Sequence, residues 1–127
     1  MAGELLIITG ETDGSATSGE VPLDSDLFHS KVKYFRIPRG CKAKIWFKKA
    51  SGEGETLFTL EYTHDVTAEP PAWKPIEHMK LASKGELSLD KRRPVIVRSI
   101  TGKEAIHITW SQPTAAKAYV ELGVEIE

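Results

Sequence analysis

Three segments of this chain alternate apolar and polar residues with a period of two, and none carries a sustained helical period. CKAKIWFKK (41–49) sets Cys41, Ala43, Ile45 and Phe47 on one side and Lys42, Lys44, Trp46 and Lys48 on the other. ETLFTLEYTH (55–64) sets Phe58, Leu60 and Tyr62 against Thr59, Glu61 and Thr63. AYVELGVEIE (118–127) sets Ala118, Val120, Leu122, Val124 and Ile126 against Tyr119, Glu121, Glu125 and Glu127. Successive strand side chains point to opposite faces, so each run is a strand with one face in a core and one in water.

Shorter strand signals fill the rest. ELLII (4–8), KVKYFRIP (31–38), RPVIVRSI (93–100) and EAIHITWS (104–111) are apolar or β-branched runs. Arg39-Gly40 and Thr101-Gly102-Lys103 read as turns, and SGEGE (51–55) has hairpin length, which predicts that the runs on either side of it pair with each other. IEHMKLA (76–82) could make a turn or two of helix. The prediction is an all-β chain, an antiparallel β-sandwich or barrel of jelly-roll or immunoglobulin-like type with seven or eight strands. No Cys…Trp…Cys spacing marks a true immunoglobulin domain.

At 127 residues one domain accounts for the chain. Residues 9–20, TGETDGSATSGE, hold no large apolar side chain and so gain little from burial. They predict a flexible tether, dividing the chain into an N-terminal strand and arm (1–24) and a single sandwich domain (25–127). Leu5, Leu6, Ile7 and Ile8 on that tether either close onto their own sheet or reach a neighbouring subunit by strand exchange. Trp46, on the lysine-bearing side of its strand, is either an exposed aromatic anchor of an interface or the core of a second layer.

Lys plus Arg total 17 and Asp plus Glu 18. This balance gives no general nucleic-acid footprint, and Lys42, Lys44, Lys48, Lys49, Lys91, Arg92 and Arg93 read as solvated strand faces. The single cysteine, Cys41, forms no internal disulfide and sits in an alternating pattern that favours a buried thiol. The start MAGELLIITG lacks a basic segment and has only four consecutive large apolar residues, too few for a signal peptide or a membrane span. The expectation is a chain without membrane association that stays in the compartment where it is made, the cytoplasm outside a virion. No Asn and a single Gln, beside abundant Lys and Glu, follow the compositional bias of thermophilic proteins.

Chemistry-bearing residues crowd into 57–81: Glu61, His64, Asp65, Glu77 and His78, with Trp73 among them. His64 and His78 are fourteen residues apart, and His29 and His107 stand alone, so no zinc-ligand spacing appears. His64-Asp65 lacks the helical setting and further ligands of metal phosphohydrolases. Glu61 and Glu77 form one of many possible acid–base pairs. No G-x-S-x-G, phosphate-loop or dinucleotide fingerprint is present. The expectation is a non-enzymatic chain without metal or cofactor. Asp65 reads as a turn residue, Pro70-Pro71 as a stiff excursion, and Trp73 as packing back on the sheet edge.

The stretch LEYTHDVTAEPPAWKPIE (60–77) ends a strand in Glu-Tyr-Thr-x-Asp, makes a turn, and continues into Trp-x-Pro. It resembles a motif in small β-sandwich structural proteins of tailed bacteriophages, such as head decoration and head-fibre-like proteins. There the turn is short and Gly-rich; here it is longer and holds Pro70-Pro71. The resemblance implies a capsid-decorating or stabilising protein of the virion surface, a homo-oligomer (a trimer favoured), with a major capsid protein as partner. It carries no catalytic residues. The arm residues Leu5, Leu6, Ile7 and Ile8, with Trp46 and Trp73, would then form the interface. The alternative is a carbohydrate-binding β-sandwich in which Trp46, Trp73 and Tyr119 stack on sugar rings.

Overall fold

The long alternating segment does not turn back at its glycines. In the computed structural model, which describes residues 4–25, 30–88 and 94–127 (side chains outside 4, 53–55 and 77–88), residues Lys42–Thr63 form one strand, β5. The other strands are β1 (Glu4–Glu11), β2 (Ser18–Glu20), β3 (Leu23–Asp24), β4 (Phe35–Arg36), β6 (Lys74–Ser88), β7 (Val95–Arg98), β8 (Ala105–Ser111) and β9 (Ala118–Ile126). All described pairings are antiparallel.

The two halves of β5 serve two layers. Ala43–Gly52 lie along β9, which lies along β1, which pairs with β3. Leu57–Thr63 lie along β8, which pairs with β2 and β4. The expected hairpin across SGEGE is therefore corrected. Pairing register shifts between Gly52 and Thr56, so the glycines let the strand bend from one sheet into the other. At Gly52 a Cβ would stand 3.2 Å from the Cβ of Ala118, so this close approach of β5 to β9 uses the missing side chain. The reversal comes later, at residues 64–73, where Asp65, Pro70 and Pro71 break the alternation, and β6 returns along β5 from Tyr62↔Lys74 to Lys49↔Ser88.

The inner faces meet in one core. Ile8, Ala43, Ile45, Phe47, Val120, Leu122 and Val124 come from the first layer, and Phe58, Leu60, Ile106, Ile108 and Trp110 from the second. Each fully buried Val, Leu, Ile or Phe side chain contributes roughly 1.5–3 kcal/mol of transfer free energy. The period-two reading holds for the inward residues Ala43, Ile45, Phe47, Phe58, Leu60, Val120, Leu122 and Val124; Trp46 and Thr63, read as outward, are buried, and Cys41, Tyr62 and Ile126 are half-buried; the architecture is a β-sandwich.

Three local expectations are corrected. Residues 76–82 belong to strand β6, not to a helical turn; pairing with β5 outweighs a weak helical pattern. KVKYFRIP contributes only the two residues of β4 and an isolated bridge from Val32 to Leu23, because Pro38 and the Arg39-Gly40 turn end it. Residues 9–20 are not a free tether. The Thr12 amide donates to the Ala118 carbonyl (2.9 Å), the Ala118 amide donates to the Thr12 hydroxyl (2.9 Å), and the Gln112 side chain donates to the carbonyls of Ala16 and Ala116. Main-chain bonds order a segment that has little to bury. With β1 on β9 and β2 on β8, residues 4–25 are strands of the sandwich and not a separate arm.

Candidate functional site

The polar side of the second layer gathers a cluster from distant parts of the chain. His107 of β8 stands directly across from Glu61 of β5, so the two side chains share a face, and Glu20 of β2 pairs one step along, opposite Thr109. His107 Nε2 lies 2.6 Å from Glu61 Oε1, and His107 Nδ1 lies 2.5 Å from Glu20 Oε2. Two hydrogen bonds from the ring to carboxylates require a hydrogen on both nitrogens, or a proton on one carboxyl.

Trp73 covers this pair. Its ring stacks on the imidazole at a centroid distance of 3.6 Å and an angle of 10°, and Tyr34 leans on it at 6.3 Å. His107 is left 4 % exposed, although it points away from the core. Both ring nitrogens are thus engaged by carboxylates. Among the described residues no group of three or more His, Cys, Asp or Glu could hold a metal.

The excursion that brings Trp73 over the sheet is shaped by its own side chains. Asp65 Oδ1 accepts from the Thr67 amide (2.9 Å) and hydroxyl (2.5 Å), and this holds its carboxyl below the usual range. The Val66 amide donates to the Lys103 carbonyl, anchoring the loop to the turn before β8. His64 leaves the sheet and meets Tyr62: its Nδ1 lies 2.6 Å from the phenol oxygen, with the rings edge to face. So of the crowded stretch, Glu61 and Trp73 enter the cluster, while His64 and Asp65 do not. Trp73 sits over the polar face of the sheet and not at its edge.

That turn is built around Glu104. Its carboxylate accepts from the Ile100 amide (2.9 Å), the Thr101 hydroxyl (2.8 Å) and the Ser99 hydroxyl (3.1 Å). Burial pushes the carboxyl up, but these hydrogen bonds outweigh it and bring it down to about 2. Gly102, at φ 80°, adopts the left-handed conformation that the turn requires.

The other predicted interface residues part company. Trp46 is not an exposed anchor. It is 7 % exposed and lies across Gly123 of β9, where a Cβ would come within 2.3 Å of its indole. Leu5 is 56 % exposed, Leu6 and Ile7 are half-buried, and Ile8 is in the core. Tyr119, on β9, hydrogen-bonds Glu121 (3.1 Å) and shares no surface with Trp73. Cys41 is half-buried against the core. Lys42 and Lys48 pair with Glu127 (3.4 Å) and Glu121 (3.9 Å). His29, Lys91, Arg92 and Arg93, and the side chains of Glu77 and His78, lie outside the described residues.

The other notable feature is an open edge. β9 lines one side of β1 from Glu4 to Glu11, but β3 lines the other side only at Thr9 and Gly10. Among the described residues, Glu4–Ile8 have no strand on that side.

No family model matches the chain, and no curated protein matches it. Among solved structures it is similar to TmCBM61, a carbohydrate-binding module solved in complex with β-1,4-galactotriose. The identity is 11 % and the TM-score 0.43, over 95 % of this chain and 69 % of that one.

Proposed function

We propose that this chain is a non-enzymatic structural module that acts by assembly, associating with its own copies and docking on a larger protein surface. The observation that carries this reading is the edge of β1, where among the described residues no strand lies beside Glu4–Ile8 on the side away from β9, and where Leu5 is exposed. Such an edge is a template for strand addition. The finer reading is a capsid-decorating or stabilising protein of a phage virion with a major capsid protein as partner; it is supported by the resemblance of residues 60–77 alone. The polar cluster supports a non-catalytic role, because His107 has both nitrogens engaged.

The test is solution mass by light scattering across a hundredfold concentration range. Mass rising to a discrete oligomer is expected. A monomer at every concentration sinks the reading.

A second reading, carbohydrate binding, is favoured by the half-exposed pair Tyr34 and Trp73. Of the three rings first considered, Trp46 is buried and Tyr119 lies apart, so a platform reduces to Trp73 with Tyr34. Calorimetric titration with oligosaccharides would detect binding, and Trp73→Ala should abolish it; heat unchanged by that substitution sinks this reading.

A further inference from the structure

Buried side-chain donors are normally paired, and Trp110 departs from that rule. It is 5 % exposed, yet its indole N–H donates to no group among the described residues. The residue across from it leaves the donor uncovered. Gly19 of β2 stands directly opposite Trp110 of β8 and shares its face. A Cβ at Gly19 would lie 3.5 Å from the indole Nε1, its nearest neighbour, so the missing side chain leaves that nitrogen open. Trp110 and Gly19 both line a cavity of about 160 Å³, together with Asp13, Ser18 and Glu20. The donor therefore faces the cavity. Asp13 Oδ1 accepts from the Ser15 amide (2.8 Å), which holds the Asp13 carboxyl below its usual range and keeps it ionised at neutral pH. Glu20, whose Oε2 meets His107 Nδ1, adds a second carboxylate-bearing residue to the lining.

The mixture of groups selects the ligand. A cation would satisfy the carboxylates and leave the buried indole donor unpaired. An anion would accept from the indole and be repelled by Asp13 and Glu20. A hydroxyl group does both, because its oxygen accepts from the N–H and its hydrogen donates to a carboxylate. We infer that this cavity binds a neutral, hydroxyl-rich ligand, a single sugar ring, through the Trp110 indole N–H and the Asp13 carboxylate. The space equals that of about five waters at roughly 30 Å³ each, room for one ring and not for a chain. Trp110 belongs to the core, so it offers the ring a hydrogen bond and not a stacking face. The site is separate from the Trp73–Tyr34 pair and rests on neither reading above. A free monosaccharide and the end of a longer saccharide present the same hydroxyl chemistry.

The test is the indole N–H region of a proton–nitrogen correlation spectrum, where the three tryptophans give three peaks. The Trp110 peak is assigned by its Overhauser contacts with the Gly19 α protons. Glucose, galactose and mannose are titrated in the millimolar range, then maltose and lactose, with tetramethylammonium chloride and sodium acetate as charged controls. At least one sugar should move the Trp110 peak to saturation, and neither control should. Gly19→Ala puts a methyl at ordinary contact distance from the indole, so the fold is kept while the approach to Nε1 is crowded. Binding should weaken at least tenfold. Asp13→Asn keeps an oxygen for the Ser15 amide and should weaken binding at least threefold. A disaccharide that binds tenfold tighter than its constituent sugars identifies a chain end as the ligand; equal binding identifies the free sugar. No saturable shift at Trp110 with any sugar, an equal shift with either control, or undiminished binding by Gly19→Ala overturns the inference and leaves the assembly reading standing. A saturable shift at the Trp73 indole alone overturns it in favour of the Trp73–Tyr34 pair.

Discussion

The polar face of the second layer and the rim of the first are both made of short stretches of strand, yet they are finished in opposite ways. Around His107 the strand has β5 on one side and β2 and β4 on the other, the imidazole has two carboxylate partners, and a tryptophan lies over the ring. Along Glu4–Ile8 one side of the strand has no partner among the described residues, and an aliphatic side chain stands in water. Polar side chains at the surface are usually left to the solvent, and apolar strand edges are usually covered. Here the usual treatment is reversed. The polar face is tied together by its own side chains, and the exposed aliphatic surface lies on the edge strand.

The sharpest way to break that contrast is His107→Ala. It leaves Glu20 and Glu61 facing each other without a cation or donor between them and removes the surface on which Trp73 rests. The loss should be about 3 kcal/mol, since truncating one member of a charge-assisted network strands the others. In a chain of this size that lowers Tm by roughly 10 °C. Trp73 should become more exposed, as read by fluorescence quenching. A Tm change near zero would mean that the cluster is surface decoration, and that the two regions do not differ in the way described.

Glu104→Gln tests the same finished layer at its turn and should cost about 1–2 kcal/mol at neutral pH. The sign of its pH dependence follows from the lowered carboxyl. Between the ordinary value of 4.5 and about 2 the unfolded chain binds the proton and the folded chain does not. The stabilisation is thus complete above about pH 4.5 and is lost as pH falls toward 2. Urea unfolding of both proteins at pH 7 and pH 2.5 should show the gap closing at the lower pH. A gap that stays constant would remove Glu104 as its origin.

The contrast between the two regions also separates what was legible in the sequence from what was not. Alternation is a local property, so the inward sets of β5, β8 and β9 could be read directly from the chain. Partner choice is not local. SGEGE has hairpin length, and only the competing neighbours β9 and β8 show that its glycines bend a strand between layers. The same limit hid the cluster. Glu61 and Trp73 stood out within one crowded stretch, whereas His107 belongs with them only through the register of β8 on β5. Glu20 could not be placed at all, because its segment is held by main-chain bonds that composition does not announce. Trp46 was readable as lying on the side of its strand opposite Phe47, exposed or in a second layer, and its cover comes from the hollow at Gly123 on a strand some eighty residues away.

Gly123→Ala probes that hollow, where a strand of the first layer is packed directly against an aromatic ring. A methyl group there would meet the indole at 2.3 Å and force Trp46 outward. The cost should be about 1–2 kcal/mol, typical of overpacking, with a red shift in tryptophan emission. The penalty should shrink when Trp46→Leu is added, since the two positions share one space. Additive losses would mean that the ring does not depend on the glycine.

The smallest effect on stability should come from Leu5→Lys, and its smallness is what gives it value. Leu5 is more than half exposed and among the described residues is paired only to β9, so the folded monomer loses little, within about 0.5 kcal/mol in either direction. Under the assembly reading, association is where a charge on this edge would act, because strand addition there would bury the ammonium without an anion. Unchanged urea unfolding together with reduced solution mass would separate what the edge does for the fold from what it does between molecules. A loss of stability as large as that of His107→Ala would show that Leu5 is already covered within its own chain, and the contrast between the finished face and the open edge would fall.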